Sequence, residues 1–119
     1  MNSNGITGLV VETHNWGKSV AFWQQLGFEL EESLVLRHPA GGPMVYLLEI
    51  PETESVAIRP VVDIDDAAEF VPPAAGSVNR AFEPQHWKVL EMLLGDPDGR
   101  GVSVQAPLPP GIAAPEGHG

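Results

Sequence analysis

Apolar residues along the chain come in short blocks whose spacing switches between two and about 3.6, and the switches mark out elements. Residues 6–12 (I-T-G-L-V-V-E) are short, β-branched and apolar, and His14-Asn15-Trp16-Gly17 breaks them, which predicts a strand followed by a turn. Asn15 then caps a helix over 18–26, with Val20, Phe22, Trp23 and Leu26 as its apolar stripe and Gly27 as its stop. Residues 28–33 and 34–37 read as strands, and His38-Pro39-Ala40-Gly41-Gly42 as a turn. The next strand, over 43–50, is apolar on both faces except at Glu49.

After a polar link the same order returns. Residues 56–62 predict a strand, and 63–71 open like a helix with acids in its first turn until Pro72-Pro73 stops it. Strands are expected over 78–83, 87–94 and 101–105, with Asp96-Pro97-Asp98-Gly99 as the tight turn before the last. Both halves place an X-Pro-x-Gly turn before their final strand, an internal repeat of roughly 50 to 58 residues. The expected class is α+β: two tandem β-α-β-β-β modules, about 6–50 and 55–106, forming a curved mixed sheet with helices outside and a concave groove. Together they make a single domain over 1–106, and the Pro- and Gly-rich 107–119 is expected to be a flexible tail.

Composition narrows the chemistry. The 119 residues include no cysteine, which removes disulfide scaffolds, thiolate zinc sites and cysteine nucleophiles. Six Lys and Arg against 16 Asp and Glu give a net charge of −10 and argue against a nucleic-acid partner. No apolar run approaches the roughly 18 residues of a membrane span, and the first residues lack signal-peptide character, so a cytoplasmic protein without membrane contact is expected. The sequence carries no G-x-S-x-G elbow and no glycine-rich phosphate loop.

The segment V-V-E-T-H-N-W-G-K-S-V-A-F-W-Q-Q-L-G-F-E, from Val10 to Glu29, together with G-D-P-D-G-R-G-V-S-V-Q, from Gly95 to Gln105, resembles the glyoxalase / bleomycin-resistance / extradiol-dioxygenase superfamily. The resemblance covers residues 6–106, and F-W-x-x-L-G-F-E is especially similar to the small antibiotic-binding members. It implies two β-α-β-β-β modules around a concave groove. In metal-dependent members, ligands stand at the start of each module's first strand and in its last strand. The resemblance sets those positions at Gly8, Ala57 and Ser103, and near Val45 or Leu47 with Glu49 the only carboxylate close by. None of the first three is an ordinary metal ligand, and His14, His38, His86 and His118 show no pair at i, i+4 or i, i+2 spacing. No metal and no cofactor is therefore expected.

Alternation assigns the groove lining. Val10 and Glu12 beside Gly8, Arg59 beside Ala57, Ser103 and Gln105, and Trp87, Val89, Glu91 and Leu93 all fall on the groove side. His86 stands at a strand entrance and Trp16 at the helix start. Trp87 can stack on an aromatic system or attract a cation, and Glu12 and Glu91 can accept from an amine or hydroxyl. Arg59 on an apolar strand needs either a carboxylate partner, with Glu12 the nearest candidate, or a ligand oxygen. The ligand-binding set is thus Trp87, Glu91, Arg59, Glu12, Val10, His86, Val89, Leu93, Ser103, Trp16 and Glu49, with no catalytic residue. The expected function is a non-catalytic resistance protein. It would sequester a bulky aromatic or cationic DNA-damaging natural product, of bleomycin, mitomycin or anthraquinone/enediyne type. The resemblance places such a groove at a homodimer interface. The alternative is a glyoxalase-like metal-dependent lyase or isomerase, or a dioxygenase.

Overall fold

Hydrogen bonding sorts the chain into two halves with one pattern. The computed structural model describes residues 3–73, 77–85 and 87–115. Contacts divide it into two compact units, one of Thr7–Pro60 and one of the residues from Val61 on joined by the N-terminal stretch through Ile6. The first unit holds β1 (Ile6–Thr13, from its second residue), α1 (Trp16–Gln25), β2 (Glu29–Leu30), β3 (Leu36–Arg37) and β4 (Met44–Glu49). Its strand order is β2-β3-β4-β1. β1 runs parallel to β4 with Gly8 opposite Met44, while β2, β3 and β4 pair antiparallel.

The strand β5 (Ile58–Asp63) begins in the first unit and ends in the second, which continues with β6 (Val78–Pro84), β7 (Val89–Gly95) and β8 (Gly101–Pro107). The order there is β5-β8-β7-β6. β5 pairs parallel with β8, Val61 opposite Ser103, and β8, β7 and β6 pair antiparallel. In each half the last strand lies parallel to the opening strand, so the repeat read in the sequence is a repeat of pairing. Both X-Pro-x-Gly turns are built alike: the first side chain accepts an N–H two residues on, from Ala40 to His38 Nδ1 at 3.0 Å and from Asp98 to Asp96 Oδ1 at 2.9 Å. The backbone N–H and guanidinium of Arg100, with the N–H of Asp98, hold the Asp96 carboxyl below its ordinary value.

The helix α1 is capped at both ends by local chemistry. Asn15 is extended, with φ −148°, and its side chain accepts the Lys18 N–H at 3.0 Å. At the other end Gly27 takes φ +96°, the Gly27 N–H reaches Gln24 O, and the Phe28 N–H reaches Trp23 O, the paired bonds of a Schellman stop. The accompanying apolar contact is the edge-to-face pair Trp23 and Phe28, with centroids 5.1 Å apart. The expected stripe needs correction. Val20 is buried and Trp23 half-buried, but Phe22 and Leu26 are 58% and 54% exposed. At about 100° per residue the inward face is 16, 19, 20 and 23, and positions 22 and 26 turn away from it.

The second half departs from the first where a helix was expected. Over 63–71 the chain forms a three-residue 3-10 turn, Ala67–Glu69, capped by Asp66, and no α-helix. The turn is short because Pro72 and Pro73 follow: each lacks an N–H and neither can continue a helix. Ile64, Met92, Leu94, Val104 and Ala106 form the buried core of this half, with Phe70 and Phe82 packed against it. The strand expected to start at Trp87 starts at Val89. Gln85 and Val89 close a hairpin turn through a 2.8 Å bond, and Lys88 takes φ +68° within it. Among the described residues no helix is long and apolar enough to cross a membrane.

Candidate functional site

In the first unit, the β1–β4 register decides which side chains share a face. Gly8, Val10 and Glu12 stand opposite Met44, Tyr46 and Leu48, and the alternate set is Leu9, Val11 and Thr13 opposite Val45, Leu47 and Glu49. The second set faces α1, because Thr13 Oγ1 lies 2.6 Å from Ser19 Oγ and Glu49 Oε1 accepts the Trp16 N–H at 2.9 Å. Glu49, expected in the groove, therefore caps the positive end of the helix, where a carboxylate is favoured. The last-strand positions on the Gly8 face are Met44, Tyr46 and Leu48, not Val45 and Leu47. Val10 is buried on that face, and Trp16 is half-buried at the first helical position.

The space over Gly8 is filled. A Cβ built there would lie 2.5 Å from Tyr46 Cε2 and 3.0 Å from the Met44 carbonyl oxygen. The glycine does not leave room for a ligand, as its small size implied; it leaves room for the tyrosine ring. Further along, Glu12 Oε1 accepts the Ala57 N–H at 2.9 Å, and its other oxygen lies 3.4 Å from Arg59 Nη1. Arg59 thus has its carboxylate partner, and the pair keeps about a fifth of each side chain exposed, 21% and 19%. His14, between β1 and α1, reaches the polar link that follows β4, its Nε2 2.7 Å from Glu54 O.

In the second unit a buried polar network takes the place of a free acid. Glu91 is 2% exposed. Its Oε1 accepts from Arg80 Nη2 at 2.8 Å and its Oε2 from the Gln105 amide at 3.1 Å. Arg80 also donates to the Glu91 carbonyl at 3.2 Å and stands 3.4 Å from Glu83 Oε2. That last contact lacks hydrogen-bond alignment, and Arg80 Nε is buried with no hydrogen-bond partner among the described residues. The arginine bridges two carboxylates that the β6–β7 register sets opposite each other. Glu91 was expected to greet a ligand; it holds Arg80 instead. Ser103 is fully buried, and Val89 and Leu93 are half-buried on the same face. Trp87 sits in the hairpin turn with 41% exposure. His86 and His118 lie outside the described residues.

Arg80 is the site residue that sequence reading missed. With Glu83 opposite Glu91, strict alternation would turn residue 80 to the other face. A register shift between Arg80 and Glu83 instead sets Arg80 opposite Leu93 and brings its head to Glu91. Only an unpaired acid at 91 hinted that a cation was needed.

Metal chemistry does not fit these residues. The positions that the resemblance assigns to ligands carry Gly8 beneath a tyrosine ring, Ala57, whose side chain is a methyl, and a fully buried serine at 103. Among the described residues no three His, Cys, Asp or Glu side chains gather as a metal site. Glu12, Glu49 and Glu91 are each engaged elsewhere.

Several solved structures are similar to this chain. One is a glyoxalase/bleomycin resistance protein/dioxygenase superfamily member from Vibrio splendidus 12B01, 19% identical, with a TM-score of 0.59 over 83% of this chain and 96% of that one. Another, a glyoxalase/bleomycin resistance protein/dioxygenase from Nocardioides, is 17% identical with a TM-score of 0.33, over 98% of this chain and 92% of that one. No family model matches the sequence, and no curated protein does. The first likeness identifies the fold.

Proposed function

We propose that this chain, which has the fold of the glyoxalase/bleomycin resistance/dioxygenase superfamily, is a non-catalytic binder. It sequesters a bulky aromatic or cationic natural product in the cytoplasm, as a homodimer with its groove at the dimer interface. Protection comes from lowering the free concentration of the compound, with no bond made or broken. The observation that carries the reading is Tyr46 lying over Gly8: where the metal-dependent members keep a ligand, this chain has packed an aromatic ring. Charge supports a cationic partner, since the net charge is −10. In this reading the half-exposed Trp87 stacks on the ligand, the Glu12–Arg59 pair orients its polar groups, and Glu91 acts through Arg80.

Titration of tryptophan emission with bleomycin, mitomycin C and an anthraquinone tests the reading. Saturable quenching at one ligand per protomer is expected for at least one of them, and a Trp87→Phe variant should lose most of the signal. Flat titrations across the panel would overturn it. Elemental analysis of the purified protein checks the same conclusion from the other side: one tightly held divalent ion per protomer would return the protein to the metal-dependent enzymes.

A further inference from the structure

The missing helix of the second half leaves a space behind. In the first unit, ten residues of α1 lie against the sheet. In the second, the three-residue 3-10 turn covers only part of the corresponding face. Beside it is a cavity of about 580 Å³, walled by Val62, Phe70, Leu94, Val102 and Val104, with Asp96 at its edge. Alternation puts Val62, Leu94 and Val104 on the face turned away from Val61, Leu93 and Ser103, so this space is separate from the Arg80–Glu91 network. Its volume falls within the roughly 300–1,000 Å³ of ligand pockets.

We infer that this cavity is a second binding site, and that its ligand is a neutral, mostly apolar molecule of two or three fused or linked rings. The walls determine the class. Val62, Phe70 and Val102 are half-buried apolar side chains that an occupant would remove from water. The Phe70 ring, held edge-to-face by Phe82 at 6.1 Å, offers a fixed aromatic surface. Among the described residues no cation lines the space to receive an acid. Asp96, the one ionised group at the edge among the described residues, is committed to Arg100 and Asp98 through three contacts of 2.7 to 3.1 Å, so it does not recruit an amine. An apolar space of this size cannot be satisfied by water, which would find few polar partners there.

N-phenyl-1-naphthylamine, a neutral two-ring probe whose emission rises in apolar surroundings, tests the inference on the full chain. Saturable binding near one probe per protomer is expected. Val102→Trp and, separately, Val62→Phe should fill the space, abolish saturable binding and keep or raise the melting temperature. Binding that is unchanged in both folded variants, or that never saturates in the parent protein, would overturn the proposal. So would a lowered melting temperature in both variants, because overpacking shows the space to be already full. The probe and its site are distinct from those of the sequestration reading, so either can fail alone.

Discussion

Replacing Glu91 by alanine would strand a guanidinium and a buried amide at once. Arg80 keeps 31% of its side chain exposed and can draw some water, so the cost is expected to fall below the roughly 3–5 kcal/mol of a fully buried pair, at about 2–3 kcal/mol. Glu91→Gln preserves an acceptor for Gln105 and should cost about 1 kcal/mol. Urea denaturation reads both as shifts in midpoint at constant slope. The acid itself was legible in the sequence as one placed on an inward strand position. Its role was not, because the register shift that delivers Arg80 has no signature in alternation. Glu49 went astray for a related reason. Residue type alone does not say which face of β4 carries it, whereas the hydrogen bond to the Trp16 N–H does.

At the scale of elements, local chemistry was the most readable part of the chain. The cap at Asn15, the glycine stop at 27 and both X-Pro-x-Gly turns stand where their residue types require. An Asn15→Ala variant removes the acceptor for Lys18 N–H while Glu49 still holds Trp16 N–H, and should cost about 1 kcal/mol, measured by urea denaturation. The helix over 63–71 was misjudged, although acids in its first turn and a double proline after it were both visible. Asp66 does cap a turn there, accepting the Ala68 N–H at 2.9 Å. Between that cap and Pro72 too few residues remain to form a helix of useful length, and nucleation is unfavourable for so short a segment. The strand boundary at 87–89 failed on a left-handed Lys88, a conformation that the residue type does not announce.

At the scale of the whole molecule, the duplication read from two similar turns holds at the level of strand pairing, and the charge of −10 sets long-range behaviour. A cationic drug that binds by the proposed sequestration should associate more slowly as salt rises from about 0.01 to 0.15 M, where the screening length shrinks from roughly 30 to 8 Å. The neutral naphthylamine probe should be indifferent to the same change; stopped-flow fluorescence compares the two, and equal salt dependence would contradict the electrostatic part of the reading. One contact also limits what this chain can become. Placing any larger side chain at position 8 by a single substitution drives it into the Tyr46 ring, and shrinking Tyr46 first opens a void over a glycine. Each step alone weakens the fold, so the two residues act as a ratchet: once tyrosine is packed over glycine, a larger side chain enters position 8 only if both residues change together.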